Sequence, residues 1–350
     1  KGYAHFSTRQ NIQYNWPALE RVPDILADLA SVQMHAIQTS GNCIRNTTSD
    51  KFAGVAHDEI IDPRVWCEII RQWSTFHPEF AHLPRKFKIA VNGAVEDRAA
   101  VQVHDIGVHV VHNAQGDVGF KVLVGGGLGR TPVIGAVIRE FLPKEHLLTY
   151  LDAILRVYNL HGRRDNKYKA RIKILVKALT PEVFAQQVEA EWVHLKDGPA
   201  TLTDDEINRV ATHFTVPAYR TFVGGDADCI NQQQDNKAFA NWVKRNTFKH
   251  KVAGYTVVTL SLKATGIAPG DATDAQMDAV ADLADAYSFG ELRVSHEQNL
   301  ILADVEQAQL YNLWQAAKSH GLATPNIGTI TDIICCPGGD FCSLANAKSI

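Results

Sequence analysis

Two cysteines late in the sequence have a spacing that suits a metal centre. Cys336 and Cys342 lie six positions apart and enclose the turn-forming residues Pro337–Gly339. Thiolates on a turn that exposes backbone N–H groups suit an iron–sulfur cluster, which takes four ligands. No other pair of cysteines here has a matching spacing, so the pattern predicts half of a cluster site. Zinc is the alternative, although structural zinc usually takes cysteines about two to four positions apart.

Four basic side chains form a second candidate group, because each lies beside a predicted turn. Arg9 falls between two short predicted strands, and Arg45 follows a predicted helix at 19–32. Lys86 and Lys88 alternate along one predicted strand, so both should project from the same face. Together, these cations would bind a small oxyanion through charge-assisted hydrogen bonds. Taken one at a time, each is also compatible with a solvated surface position.

Gly125, Gly126 and Gly127 follow an apolar predicted strand and form a third candidate. Consecutive backbone N–H groups in such a turn can bind a phosphate or a carboxylate. The run lacks the G-x-G-x-x-G spacing and the Gly-Lys-Ser/Thr sequence of nucleotide-binding loops. A purely structural tight turn is therefore the alternative.

The composition is typical of a globular protein with more than one domain. Of 350 residues, 45% are hydrophobic and 21% charged, and this length exceeds one ordinary core. The net charge of −3 excludes a generally basic surface that would coat nucleic acid. No apolar run has the length of a membrane span, and no signal peptide is recognisable. Six unevenly spaced cysteines are typical of a reducing compartment, so we predict a cytoplasmic protein.

The element order strand, turn, strand, helix occurs twice, at residues 6–32 and 291–319. An offset of 288 positions aligns Ser7 with Ser295, Gln10 with Gln298 and Asn11 with Asn299. A strand at 256–263 and a helix at 274–287 precede the second copy and complete most of a ferredoxin-like α+β unit. The first copy lacks these two elements, so we expect roughly forty further residues before Lys1.

Five motifs together resemble the siroheme-dependent nitrite/sulfite reductase family, and the resemblance covers essentially the whole chain. The motifs are Thr8–Gln13 (TRQNIQ), Asn42–Asn46 (NCIRN), Leu83–Lys88 (LPRKFK), Val122–Leu128 (VLVGGGL) and Cys336–Cys342 (CPGGDFC). The resemblance implies siroheme coupled to a [4Fe–4S] cluster, with one cysteine thiolate bridging them.

The family's cluster ligands follow the pattern C-x5-C and then, roughly forty residues later, C-x3-C. Cys336 and Cys342 match the first pair. We expect the second pair, including the bridging cysteine, beyond Ile350. Cys335 has no role in the pattern and is expected to be a buried neighbour.

The resemblance also implies roles for the basic and glycine-rich segments. The anion-binding residues would be Arg9, Arg45, Lys86 and Lys88, which hold sulfite or nitrite at the siroheme iron and supply protons. The carboxylates of siroheme would be bound by Gln10, Gln13, Arg85 and the backbone of Gly125, Gly126 and Gly127.

The implied fold is α+β, with ferredoxin-like half-domains in a pseudo-twofold repeat plus a mixed α/β domain that binds siroheme and the [4Fe–4S] cluster. The predicted segments are a truncated first half at 1–38, a siroheme and anion domain at 39–195, a helical connector at 196–251, a second half at 252–324 and the start of a second siroheme and cluster domain at 325–350.

The implied activity is the assimilatory six-electron reduction of sulfite to sulfide. Members specialised for nitrite tend to lose one lysine of the pair, and this chain has both, so sulfite is favoured over reduction of nitrite to ammonia. No flavin or nicotinamide domain is recognisable, so a ferredoxin or a flavoprotein must donate the electrons; neither a nucleic acid nor a membrane is expected as a partner. A non-catalytic scaffold that binds an iron–sulfur cluster or zinc is the alternative from another class.

Overall fold

The computed structural model describes residues 3–129, 131–222, 227–342 and 345–349. The strands are β1 (Tyr3–Phe6), β2 (Ile12–Tyr14), β3 (Thr48–Ser49), β4 (Ile89–Asn92), β5 (Ile106–His112), β6 (Val118–Val124), β7 (Ala136–Pro143), β8 (Thr247–Lys249), β9 (Tyr255–Leu260), β10 (Asp271–Thr273), β11 (Leu292–Val294) and β12 (Leu300–Glu306). The helices are α1 (Val22–Ser31), α2 (Arg64–Ser74), α3 (Leu147–His161), α4 (Ile172–Leu179), α5 (Pro181–Trp192), α6 (Asp204–Ala211), α7 (Ala227–Asp235), α8 (Lys237–Asn246), α9 (Asp274–Tyr287) and α10 (Leu310–Ser319). The segments expected before Lys1 and after Ile350 lie outside the described residues.

The chain forms two compact units. The central unit comprises residues 34–54 and 58–216, and the repeat unit comprises residues 1–33, 55–57 and 217–350. The predicted connector contains α6, α7 and α8, and its last residues form β8, which pairs with β9. In the part of the chain described here, no helix is both long and apolar enough to cross a membrane.

A five-stranded mixed sheet in the order β3-β4-β5-β6-β7 forms the centre of the central unit. The pairs β3–β4 and β4–β5 are parallel, and β5–β6 and β6–β7 are antiparallel. All four residues of β4 are buried, as expected for a strand covered on both faces. Most of α3 is buried because apolar residues occur around the whole helix. Trp66 of α2 packs edge-on against Phe120 of β6, with ring centroids 5.0 Å apart.

The described strands of the repeat unit form two antiparallel sheets, in the orders β10-β1-β2 and β11-β12-β9-β8. Helix α9 begins at a capping box in which the Thr273 hydroxyl accepts the backbone N–H of Gln276 and the Gln276 side chain accepts that of Thr273. Its buried residues Ala279, Val280 and Leu283 recur at helical spacing. This helix has the bounds that the sequence predicted.

The two copies of the predicted repeat have the same turn geometry. In the first copy, the N–H of Ser7 donates to the carbonyl of Asn11 at 2.9 Å; in the second, that of Ser295 donates to the carbonyl of Asn299 at 2.9 Å. The aligned glutamines Gln10 and Gln298 both have positive φ, 56° and 63°. Residues other than glycine rarely adopt this left-handed backbone conformation. Its occurrence at equivalent positions therefore supports the alignment at an offset of 288.

A buried polar network stabilises the repeat unit beside β12. The Asp304 carboxylate accepts hydrogen bonds from the Tyr219 hydroxyl at 2.6 Å and from Nε2 of His250 at 3.2 Å. Asp304 is 1% exposed. Burial alone would raise the pKa of Asp304, but the hydrogen bonds from His250 and Tyr219 outweigh it, and the pKa is lowered. The folded state therefore favours the ionised carboxylate.

We expect Asp304→Asn to lower the free energy of unfolding by about 2–3 kcal/mol, because hydrogen bonds to a buried charge are lost. A depressed folded pKa stabilises the protein above the pH where an unfolded aspartate titrates, about 3.9, and this stabilisation disappears as the pH falls through the folded pKa. Urea unfolding at pH 7 and at pH 3.5 measures the free energy of unfolding of the variant and of the unmodified protein. The difference between the two proteins should be smaller at pH 3.5. Asp282→Asn, at an exposed position of α9, is the control. A pH-independent difference would contradict the prediction.

Candidate functional site

Arg45 and the two lysines are brought together by one short backbone bridge in the central unit. Ile44 pairs in parallel with Phe87; the N–H of Phe87 donates to the carbonyl of Cys43, and that of Arg45 to the carbonyl of Phe87. Ile44 and Phe87 are fully buried, so their chain neighbours project from the opposite face of the bridge. This places Arg45 on the same side as the lysines that flank Phe87.

The sequence predicted a strand beginning at Lys86, and this predicted start is wrong. Regular pairing begins at Ile89, one residue after Lys88, because Pro84 and Arg85 form a bend and the Lys88 N–H donates to a side chain instead of a neighbouring strand. The segment is still extended around the Phe87 bridge, and Lys86 and Lys88 are both half-buried on either side of it. The predicted alternation is therefore correct, although the regular strand is shorter.

A group of positive charges surrounds Lys86. Burial lowers the pKa of Lys86, and the charges of Arg45, Arg171 and Arg85 lower it further. Burial likewise lowers the pKa of Arg45, with added repulsion from Arg85 and Arg171. Such a concentration of like charges raises the local affinity for an anion, because a bound anion relieves the repulsion.

Asp105 is the buried counter-charge of this group. Its side chain is 0% exposed. Its Oδ1 accepts from Nε of Arg171 at 3.0 Å and Nη2 at 2.6 Å, and its Oδ2 accepts the backbone N–H of Lys88 at 2.8 Å. Burial raises the pKa of Asp105, and the Arg171 guanidinium opposes this increase. One carboxylate therefore joins the lysine segment to the start of α4.

The glycine run is attached to the same carboxylate-bearing residue. The N–H of Gly125 donates to the Asp105 carbonyl at 3.0 Å, and the φ of Gly125 is +77°. A Cβ at Gly126 would lie 2.5 Å from the Gln102 carbonyl, and one at Gly127 would lie 3.1 Å from Cδ of Lys173. Glycine is thus favoured at 125 by its positive φ and required at 126 by packing, as the structural alternative predicted. A role of these backbone N–H groups in binding stays a prediction.

Sequence reasoning missed Arg171, Asp105 and Lys173. The ammonium of Lys173 donates to the carbonyls of Leu128 at 3.3 Å and Thr131 at 2.5 Å, which secures the loop after the glycines. Asp105 directly precedes the apolar strand β5 and Arg171 directly precedes α4, so a charged residue at the border of a buried element was the available signal.

Arg9, Gln10 and Gln13 belong to the repeat unit. Arg9 and Gln10 lie in the turn between β1 and β2, where the Arg9 N–H donates to the Ser7 hydroxyl at 3.1 Å. Gln13 lies on β2 and donates from its side chain to Asn15 at 2.8 Å. The predicted convergence of Arg9 with the cations of the central unit stays a prediction, as do the roles of both glutamines.

The two predicted cluster ligands lie at the ends of a tight turn around Gly338. The N–H of Cys342 donates to the Gly338 carbonyl at 2.9 Å, and both thiols belong to exposed residues. Hydrogen bonds from the Ser349 side chain and the Gly338 backbone lower the pKa of Cys336, which favours the thiolate that iron binds. Cys335 is buried, as expected.

These residues fit half of a [4Fe–4S] site. The turn presents two thiols, one of them with a lowered pKa, as cysteine ligation requires. Across the described ranges, no group of three or more metal-binding side chains is arranged around one point. The cation group also fits siroheme, because its many carboxylates need several positive partners.

Comparison with known proteins identifies the family of the chain. Residues 40–196 match the nitrite and sulphite reductase 4Fe-4S domain, and residues 249–320 match the nitrite/sulfite reductase ferredoxin-like half domain. These matches define a redox enzyme class with α+β architecture, which confirms the predicted fold class. The chain belongs to the siroheme-dependent nitrite/sulfite reductase family, whose cofactors are siroheme and a [4Fe–4S] cluster, as predicted.

Individual relatives cover both predicted activities. The chain is 27% identical to sulfite reductase (ferredoxin) 1 of Mycolicibacterium paratuberculosis, over 99% of this chain and 55% of that protein. It is 28% identical to the chloroplastic ferredoxin–nitrite reductase of Arabidopsis thaliana, over 98% of this chain and 54% of that protein. The structure of the NirA protein of Mycobacterium tuberculosis superposes with a TM-score of 0.76 at 26% identity, over 99% of this chain and 56% of that one. The chain therefore spans about half the length of these relatives.

We expect the apparent pKa of Lys86 to rise in Arg45→Gln, because one repelling charge is removed. Amine labelling across a pH series, followed by peptide mass spectrometry, measures the pKa of the individual lysine. Arg209→Gln, at an exposed position of α6, removes a charge of the same unit that lies outside this group and is the control. An unchanged titration of Lys86 in Arg45→Gln would show that the two side chains do not interact.

Proposed function

We propose that this chain is the anion-binding and electron-accepting part of a sulfite reductase. The observation that carries the proposal is a group of positive charges beside a buried carboxylate: Asp105 binds Arg171 and the backbone N–H of Lys88, and the charges of Arg45, Arg85 and Arg171 act on Lys86. Its excess positive charge matches a small oxyanion and the carboxylates of siroheme. Family membership supplies the cofactors that the reduction requires.

The proposed reduction converts hydrogen sulfite, with six electrons and six protons, to hydrosulfide (HS−) and three water molecules. Siroheme coupled to the [4Fe–4S] cluster supplies the electrons when bound. Lys86 and Lys88 bind the anion and donate protons to its departing oxygens. The lowered pKa of Lys86 suits it to this role, because an ammonium with a lower pKa releases its proton more readily. Arg45 and Arg9 are the further residues proposed to bind the anion.

The remaining predicted residues are proposed to bind the cofactors. Cys336 and Cys342 would ligate the cluster, and the carboxylates of siroheme would be held by Arg85, Gln10, Gln13 and the backbone of Gly125, Gly126 and Gly127. Arg171 lies in the same charged group as Arg85 and is a further candidate. The family matches at 40–196 and 249–320 support the proposed domains at 39–195 and 252–324.

Ferredoxin is the proposed electron donor, because the names of relatives from bacteria and a plant both contain it. A flavoprotein donor is the alternative that the sequence left open. The six cysteines are few and unevenly spaced, which supports the proposal that the protein works in the reducing cytoplasm.

Sulfite is the proposed substrate because both lysines of the pair are present. We expect kcat/KM for sulfite to exceed that for nitrite by at least about tenfold, a difference of about 1.4 kcal/mol in transition-state stabilisation. Turnover of the purified protein with a reduced dye, measured separately with each anion, tests this. A preference for nitrite would make the protein a nitrite reductase, and a protein that contains zinc and no iron would be a scaffold without this activity.

We expect Lys88→Glu to abolish anion reduction and to leave the siroheme absorption bands unchanged. The substitution places a negative charge where the anion binds, whereas the backbone N–H that donates to Asp105 remains. Steady-state turnover and the visible spectrum of the same preparation measure the two effects. Lys177→Glu makes the same charge change on an exposed part of α4 and should retain turnover. Normal turnover in Lys88→Glu would exclude this residue from the anion site.

A further inference from the structure

The carboxamide of Gln298 holds the backbone of the residue that precedes a proposed cluster ligand. Its Oε1 accepts the N–H of Cys335 at 2.7 Å, and its Nε2 donates to the carbonyl of Cys335 at 2.8 Å. One side chain therefore satisfies both backbone polar groups of Cys335. Gln298 is 1% exposed, so these bonds form away from bulk water, where leaving either group unpaired is costly.

Further contacts fix the orientation of this carboxamide. Nε2 of Gln298 also donates to the Phe6 carbonyl at 2.9 Å and lies 3.0 Å from Nε2 of His5. On the other side of the ring, Nδ1 of His5 lies 2.7 Å from the Asp271 carboxylate. The carbonyls of Cys335 and Phe6 accept the two hydrogens of the Gln298 amide nitrogen, so the approach of His5 Nε2 is a close contact and not a third full hydrogen bond. The carboxamide is thus held from strand β1, through the Phe6 carbonyl.

The next residue of the same turn provides a second attachment point. The side chain of Asn299 donates to the Asp332 carboxylate at 3.0 Å, and the ammonium of Lys263 donates to the same oxygen at 2.7 Å. Asp332 and Cys335 are therefore both fastened to the turn between β11 and β12. The segment from 326 to 337 contains no helix or strand, so side-chain contacts rather than regular pairing set its path.

We propose that Gln298 is a positioning residue for Cys336. By holding the Cys335 peptide, Gln298 presents the Cys336 thiolate to the cluster in one fixed orientation. The proposal rests on the proposed role of Cys336 as a cluster ligand. Cys336 directly follows the residue that Gln298 holds, so rotation of the Cys335 peptide would redirect the ligand. Metal ligands commonly depend on such supporting hydrogen bonds for their orientation.

The test compares Gln298→Met with Asn246→Leu in the protein as purified. Met has the length of Gln and removes the hydrogen bonds to Cys335. Asn246 is also 1% exposed and donates to the carbonyls of Thr259 at 2.9 Å and Thr324 at 3.1 Å. Its substitution therefore removes a buried carboxamide of the same unit that does not contact the cysteine segment. Thermal unfolding shows how far each variant is destabilised.

We expect amide hydrogen exchange in the peptide containing Cys335 to be about tenfold faster in Gln298→Met, and unchanged in Asn246→Leu. A tenfold change is the size expected when one hydrogen bond of ordinary net strength is lost. We also expect Gln298→Met alone to lose at least about half of its cluster iron and to shift the electron paramagnetic resonance spectrum of the reduced cluster.

The two ways of failing are distinct. Unchanged exchange at Cys335 in Gln298→Met, or an equal loss of iron in both variants, would overturn the positioning role and leave the proposed function intact. Iron absent from the unmodified protein would overturn the proposed function, whatever the exchange rates.

Discussion

The central unit depends on the burial of one carboxylate among several cations. Asp105 has no exposed side-chain surface, and its two oxygens bind Arg171 and the backbone of Lys88, while its carbonyl accepts the N–H of Gly125. A buried charge is tolerated only when it is paired and hydrogen-bonded. Three separate chain segments must therefore meet at this residue. The result is a site whose geometry is fixed by one anion and whose net charge still favours another.

Asp105 neutralises only part of the positive charge that surrounds it. The carboxylate neutralises part of the charge of Arg171, whereas Arg45, Arg85 and Arg171 still lower the pKa of Lys86. A group of side chains with equal numbers of positive and negative charges would be stable but would not attract an anion. An anion bound at the proposed site would relieve the repulsion among these cations, and this relief would contribute to its free energy of binding.

Local pattern was sufficient for part of this site. Alternation alone placed Lys86 and Lys88 on one side, since the fully buried Phe87 separates them, and the offset of the repeat aligned the two left-handed glutamines Gln10 and Gln298. Both predictions use residues close in sequence or related by a duplicated turn. They required no knowledge of how distant segments pack.

Contacts between distant segments could not be predicted in the same way. Arg171 meets Asp105 across 66 positions, and Gln298 meets Cys335 across 37. No sequence motif indicates the partner of Asp105 or of Gln298, because an Asp beside a strand or a Gln in a turn is also common at solvated positions. The start of β4 was predicted too early for the same reason, since the Lys88 N–H has a side-chain acceptor from elsewhere in the chain.

The loop that carries Cys335 and Cys336 depends on side chains of the repeat unit for its position. Between residues 320 and 342 it contributes no strand to either described sheet of the repeat unit, and it is attached through the side chains of Gln298, Asn299 and Lys263. Substitutions at these three side chains would therefore change the path of the loop without removing any strand pairing of the two sheets.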